Sequence, residues 1–169
     1  MEKTDSTTIF IVEDNEMFAE SLAISLRNKG FIVHPFRSGE QMISWWEVDP
    51  DIILLDYYLD NAQGIAMNGD KILRFIRRIS KNLPVVILTS NSDIGEATSL
   101  LKQGAVDFIL KDDDLLPNLD KTLQQVLDSI TLRKEIAINK QKIKKYRQHF
   151  LVIALIVALA AMTLLWLMS

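Results

Sequence analysis

Five short runs of β-branched and aliphatic residues, at 8–12, 31–33, 51–55, 84–88 and 107–110, recur at intervals that leave room for one helix between successive runs. The runs are nearly continuous in apolar character rather than alternating, which is the signature of strands covered on both faces. Between them lie amphipathic stretches at 16–28, 39–47, 69–80 and 94–103, and a fifth begins near Leu115 and continues past Ile130. Strand and helix alternating in units this small imply an α/β domain: a doubly wound, five-stranded parallel sheet with helices on both faces. Gly30 and Gly104 stand where left-handed turns would close the first and fourth helices.

In such sheets ligands bind beyond the carboxyl ends of the strands. Here the first run ends in Glu13 and Asp14, the third in Asp56, the fourth in Thr89 and Ser90, and the fifth in Lys111. Two carboxylates about 4 Å apart repel by about 4 kcal/mol at an effective dielectric of about 20, so three at one sheet edge call for a cation. An oxygen-only ligand set suits Mg²⁺, which keeps several waters and commonly meets a phosphate. A hydroxyl from Thr89 and an ammonium from Lys111 are donors that a phosphoryl group requires. Asp56 is then the candidate nucleophile, forming an acyl phosphate. A single strand-end Asp is more often a helix cap or turn former; five such residues at the ends of different strands point to a site.

The segments VED (12–14), LLDYYL (54–59), LTS (88–90) and FILK (108–111) carry these residues in the order acidic pair, phosphoacceptor, hydroxyl, lysine. In that order the chain resembles the receiver domain of two-component response regulators, over about residues 7–130. The resemblance implies a flavodoxin-like, receiver-type fold in which Asp56 accepts a phosphoryl group from a sensor histidine kinase or a histidine phosphotransfer protein. Glu13, Asp14, Asp56 and the backbone carbonyl of Tyr58 would hold Mg²⁺, Thr89 and Lys111 would bind phosphoryl oxygens, and Thr89 with Phe108 would form a switch. It implies a signalling phosphoacceptor that assists its own phosphoryl transfer and hydrolysis rather than an enzyme. A scaffold that keeps the acidic pocket without using it is the alternative. A haloacid-dehalogenase-like phosphatase needs a second Asp where Tyr58 stands, and His34 and His149 are too far apart in context to suggest a metal pair.

The chain also departs from the family pattern. Asp60, not a Pro, follows Leu59, and the Gly that precedes the third helix is Gly69, thirteen residues beyond Asp56, so 60–68 reads as an insertion beside the site. Asp112, Asp113 and Asp114 follow Lys111 where many relatives have Pro, which puts a cis peptide there in doubt and suits capping of the last helix instead.

The C-terminal part has a different character. Residues 150–168 contain no charge, no Gly and no Pro, and as a helix would span roughly 29 Å, near the ~30 Å hydrocarbon thickness of a bilayer. Seven Lys or Arg and one acid precede them at 131–149, whereas residues 1–130 hold 12 Lys or Arg and 21 Asp or Glu, balances of +6 and −9. The expectation is a receiver domain at 1–130, a basic linker helix at 131–149 and one transmembrane helix at 150–168, in the cell inner membrane with the receiver on the cytoplasmic side. The acidic domain argues against nucleic-acid binding, and the absence of Cys excludes disulfides and thiolate zinc sites. Leu132, Ile136, Asn139, Ile143, Tyr146 and Phe150 recur at heptad spacing, which raises a homodimer as one reading of the linker and a single membrane-proximal helix as the other.

Overall fold

The structure is a computed structural model that describes residues 6–59, 69–90 and 94–167, the side chains of 94–97, 154–161 and 163–167 excepted. Two compact units divide it, residues 1–122 and residues 123–169. The first holds five strands, β1 (Thr8–Val12), β2 (Ile32–Phe36), β3 (Ile52–Asp56), β4 (Val85–Thr89) and β5 (Asp107–Leu110). They form one parallel sheet in the order β2-β1-β3-β4-β5. Helices α1 (Glu16–Arg27), α2 (Gly39–Ser44), α3 (Gly69–Ile79), α4 (Ile94–Lys102) and α5 (Leu115–Leu167) connect or follow the strands.

Every side chain of β1, β3 and β4 is buried, which is why these segments read as unbroken apolar runs. On one sheet face Phe10, Val12, Ile53, Leu55, Val85 and Ile87 pack with Ile72, Leu73 and Ile76 of α3 and Met42 of α2. The alternate strand residues, among them Ile9, Ile11, Leu54 and Val86, are buried on the opposite face. Helix α1 lies against β1 and β2 and buries Ala19, Leu22, Ala23 and Leu26, a stripe at helical spacing.

Local chemistry sets the element ends. Asn15 caps α1, its side-chain oxygen accepting from the Phe18 N–H at 3.1 Å. Gly30 and Gly104, at φ 90° and 105°, make the left-handed turns after α1 and α4. Strand β2 reaches Phe36 although its apolar run breaks at His34 and Pro35. It is an edge strand, so the missing N–H of Pro35 leaves no ladder bond unmade on an inner side. Helix α2 stops at Ser44 rather than near 47, and a single 3-10 turn covers Trp46–Val48. The chain then leaves through Asp49 at φ 52°, a left-handed conformation that Asp tolerates better than most residues. The described residues contain no cis peptide bond, and after Lys111 the side chain of Asp112 instead accepts from the Asp114 N–H at 3.0 Å.

Helix α5 runs without a break through positions 130 and 149. Its side chains are exposed from residue 131 to residue 153. Among the described residues no helix is long and apolar enough to cross a membrane. Most side chains of the expected span at 150–168 lie outside the described residues, as does the expected insertion at 60–68.

Arg77 binds α3 to the turns beside it. Its guanidinium donates to the carbonyls of Leu83 (2.8 Å), Gly104 (2.7 Å) and Ser80 (3.3 Å), and burial pushes its pKa down. A hydrogen bond to a charged group contributes about 1.5–3 kcal/mol, and a planar fork reaches several carbonyls that a point charge does not. Arg77→Ala should therefore cost about 2–3 kcal/mol in urea unfolding, with Arg77→Lys recovering less than half; an unchanged midpoint in Arg77→Ala would show that water satisfies these carbonyls equally well.

Candidate functional site: an acidic cluster at the sheet edge

The strand order reverses between β1 and β3, since the chain moves from β1 outward to β2 and then crosses back. That switch point is where doubly wound sheets bind ligands. Glu13 and Asp14 leave the end of β1, and Asp56 is the last residue of β3 beside it. Their carboxylate oxygens converge, one from each residue, to within 4.8 Å of one another. Glu13 and Asp56 are buried, whereas Asp14 is half-buried.

Lys111 enters from β5, two strands away. Its backbone N–H is held by the Thr89 carbonyl at 2.8 Å. Its ammonium lies 2.6 Å from Glu13 Oε2 and 2.8 Å from Asp56 Oδ2, bridging the two strand ends. The same nitrogen sits 4.9 Å from the centroid of the Phe18 ring, an arrangement in which the ring's negative face meets the cation. Asp56 does not cap a helix: its Oδ1 accepts from the Tyr58 N–H at 3.2 Å, and Oδ2 faces Lys111.

One ammonium against three carboxylates leaves negative charge in excess, and at about 4.8 Å each like pair costs about 3–4 kcal/mol at an effective dielectric of about 20. Burial pushes both the Glu13 and Asp56 carboxyls above the ordinary range, the Lys111 ammonium pulls them partly back, and the charge of a neighbouring Asp adds to the rise. The donor chemistry of the cluster fits a small hard cation such as Mg²⁺: all three side chains offer carboxylate oxygens, and they converge at one point.

The other expected site residues take definite places. Thr89 is buried at the end of β4, Phe108 is half-buried and packs against the core cluster, and the Tyr58 ring is exposed beyond β3. Gly69 opens α3 directly against this edge: its N–H donates to the Tyr57 carbonyl at 3.1 Å, and a Cβ there would lie 2.7 Å from the Asp56 carbonyl oxygen. The contact gives a reason for Gly at that position however long the preceding loop is. Phe18 is not singled out by sequence spacing. Its signal is its place one turn into the helix that begins just after Asp14.

A sequence model of the response regulator receiver domain family matches residues 9–122, and the chain belongs to that family of two-component systems. Among curated proteins it is 27% identical over 129 residues to the regulatory protein AtoC of Escherichia coli, covering 76% of this chain and 27% of that protein. It is 36% identical over 104 residues to the DNA-binding response regulator MtrA of Mycobacterium tuberculosis, covering 61% and 43%. The matched part thus spans less than half of either relative. Among solved structures, NtrX from Brucella abortus superposes with a TM-score of 0.69 at 24% identity, over 78% of this chain and 30% of that one. A CheY-like receiver domain protein from Methanospirillum hungatei gives 0.65 at 18%, over 75% and 98%. These two similarities show the shared fold.

With their pKa values raised, Glu13 and Asp56 hold protons in the folded domain at pH values where the unfolded chain has released them. The contribution of these two groups to metal-free stability should therefore be full below the ordinary carboxylate range and be lost as pH climbs through the raised values. Thermal melts in chelator from about pH 4 to about pH 7 should show that decline, and millimolar Mg²⁺ should flatten it; a rise across the interval would mean that the ion pairs outweigh burial. Asp14→Asn removes one of the crowded charges, so its melting temperature in chelator should hold or rise while its gain on adding Mg²⁺ shrinks. A clear loss of stability in chelator would make Asp14 a structural residue.

Proposed function

We propose that this chain is a membrane-tethered phosphoacceptor: Asp56 takes a phosphoryl group from a histidine kinase or histidine phosphotransfer protein, with Mg²⁺ bound by Glu13, Asp14, Asp56 and the Tyr58 carbonyl. The observation that carries this is the cluster in which three carboxylates and the Lys111 ammonium meet at the sheet's switch point. An oxygen of Asp56 attacks phosphorus, an O–P bond forms as the N–P bond of the donor breaks, and the imidazole leaves with the electron pair. Mg²⁺ bound at the cluster supplies positive charge to the phosphoryl oxygens.

The protein's own groups prepare that step. The Tyr58 N–H orients Asp56 Oδ1. Lys111, already within hydrogen-bond distance of Asp56 Oδ2, needs only a small movement to reach a phosphoryl oxygen added there. Thr89, buried at the end of β4, would bind a phosphoryl oxygen through its hydroxyl and, with Phe108, form the switch. The chain acts as a signalling phosphoacceptor rather than on an external substrate.

The second half of the proposal concerns residues 131–169. Helix continues to Leu167, and 150–168 is uncharged and preceded by a balance of +6 at 131–149. These features support one C-terminal span in the cell inner membrane with residues 1–130 on the cytoplasmic side. The −9 balance of residues 1–130 supports protein partners for the domain rather than nucleic acid.

Full-length protein in mild detergent, incubated with Mg²⁺ and acetyl phosphate, should show a slower band on a phosphate-affinity gel that disappears in Asp56→Asn. No shift, or an equal shift in Asp56→Asn, would support the alternative of a scaffold that does not accept phosphate. A chain ending at residue 149 should leave the membrane fraction at high salt, because the remaining basic segment is screened beyond roughly 8 Å. The full chain should resist carbonate extraction. A truncated protein that stays in the pellet, or a full chain that carbonate removes, would refute the span.

A further inference from the structure

From residue 131 to residue 153 every side chain of α5 is exposed, so this stretch of helix buries nothing within its own chain. Most helical stability in proteins comes from a packed apolar face, and an isolated helix of this length is marginal in water. An apolar face is nevertheless present. Leu132, Ile136, Ile143, Tyr146 and Phe150 are between 45% and 75% exposed, and together with Asn139 they recur at intervals of four, three, four, three and four. That spacing keeps all six on one seam of a helix wound at 3.5 residues per turn.

The charges beside the seam choose its partner. On one flank stand Arg133, Lys140 and Arg147; on the other stand Asp128, Glu135 and Lys142. If two copies pair in parallel, each flank faces the opposite flank one heptad on. Asp128 then meets Arg133 of the second copy and Glu135 meets Lys140, while only Lys142 meets a like charge, Arg147. If they pair antiparallel, the wholly basic flank meets itself, and every contact along it is repulsive. Within its own helix Asp128 accepts from the neutral Gln124 amide at 3.0 Å.

We propose that residues 128–150 form a parallel two-stranded coiled coil with the same segment of a second copy of this chain. The seam supplies the apolar contact. The Asp128–Arg133 and Glu135–Lys140 pairs set the direction. Asn139, polar within the seam, disfavours slipped registers because any shift places its amide against an apolar side chain. The inference does not depend on whether Asp56 accepts phosphate, nor on residues after 150.

The chain has no cysteine, so an introduced thiol reports one position without background. Full-length protein in mild detergent carrying Ile136→Cys or Ile143→Cys should oxidise to a disulfide-linked species of twice the chain mass. Lys134→Cys and Gln141→Cys, on the outer face of the same helix, should not. Adding Glu135→Lys should lower the yield at position 136 by about three- to tenfold, and adding Lys140→Glu to that variant should restore it. Equal crosslinking at all four positions, none at positions 136 and 143, or a product with another protein's mass would overturn the proposal. A segment lying flat on lipid or detergent gives the first or second of those outcomes. Acetyl phosphate labelling of Asp56 in the same samples keeps failure of this inference separate from failure of the phosphoacceptor reading.

Discussion

Parallel pairing of β1 with strands on both of its sides is the constraint from which the rest of this structure follows. Because β2 lies on one side of β1 and β3 on the other, the connections leave the sheet in opposite directions at that point. The ends of β1 and β3 lie side by side at that point, so the side chains that terminate them come together. In this chain they are Glu13, Asp14 and Asp56, three acids that no stability argument would bring together. The fold creates the crevice, and the acids make it a place for a cation.

Lys111 makes the crowding tolerable. Its backbone is fixed by β4 through the Thr89 carbonyl, and its ammonium reaches across to both buried carboxylates, so one residue ties the ends of β1, β3 and β5 together. Burial still holds the Glu13 and Asp56 carboxyls above the ordinary range, with a smaller rise from a neighbouring Asp, although Lys111 pulls both back. Excess negative charge at a buried cluster of this kind favours a cation there. The ring of Phe18 against the ammonium adds a contact that keeps the lysine near the carboxylates rather than in solvent.

The C-terminal helix obeys a different logic. Within residues 1–122 the elements bury apolar faces against one another, but from 131 to 153 the helix carries an exposed apolar seam flanked by ordered charge. A surface of that kind is stable in water only with something laid along it. The charge order makes a parallel second copy the fitting occupant.

The sequence by itself determined the α/β alternation, because strands covered on both faces must be apolar throughout and β1, β3 and β4 are. It also placed Glu13, Asp14, Asp56, Thr89 and Lys111 at strand ends, since a polar residue terminating an apolar run is visible in one dimension. It undershot β2, where an edge position tolerates Pro35, and it overran α2, which stops at Ser44 and gives way to a 3-10 turn over Trp46–Val48. Only the tertiary structure decided that Lys111 rests on both Glu13 and Asp56, that Phe18 lies against its ammonium, that Gly69 must pass the Asp56 carbonyl, and that Arg77 closes the turns around α3. Each of these joins residues that are distant in the chain. Their meeting depends on the order of strands in the sheet, and local propensity carries no record of that order.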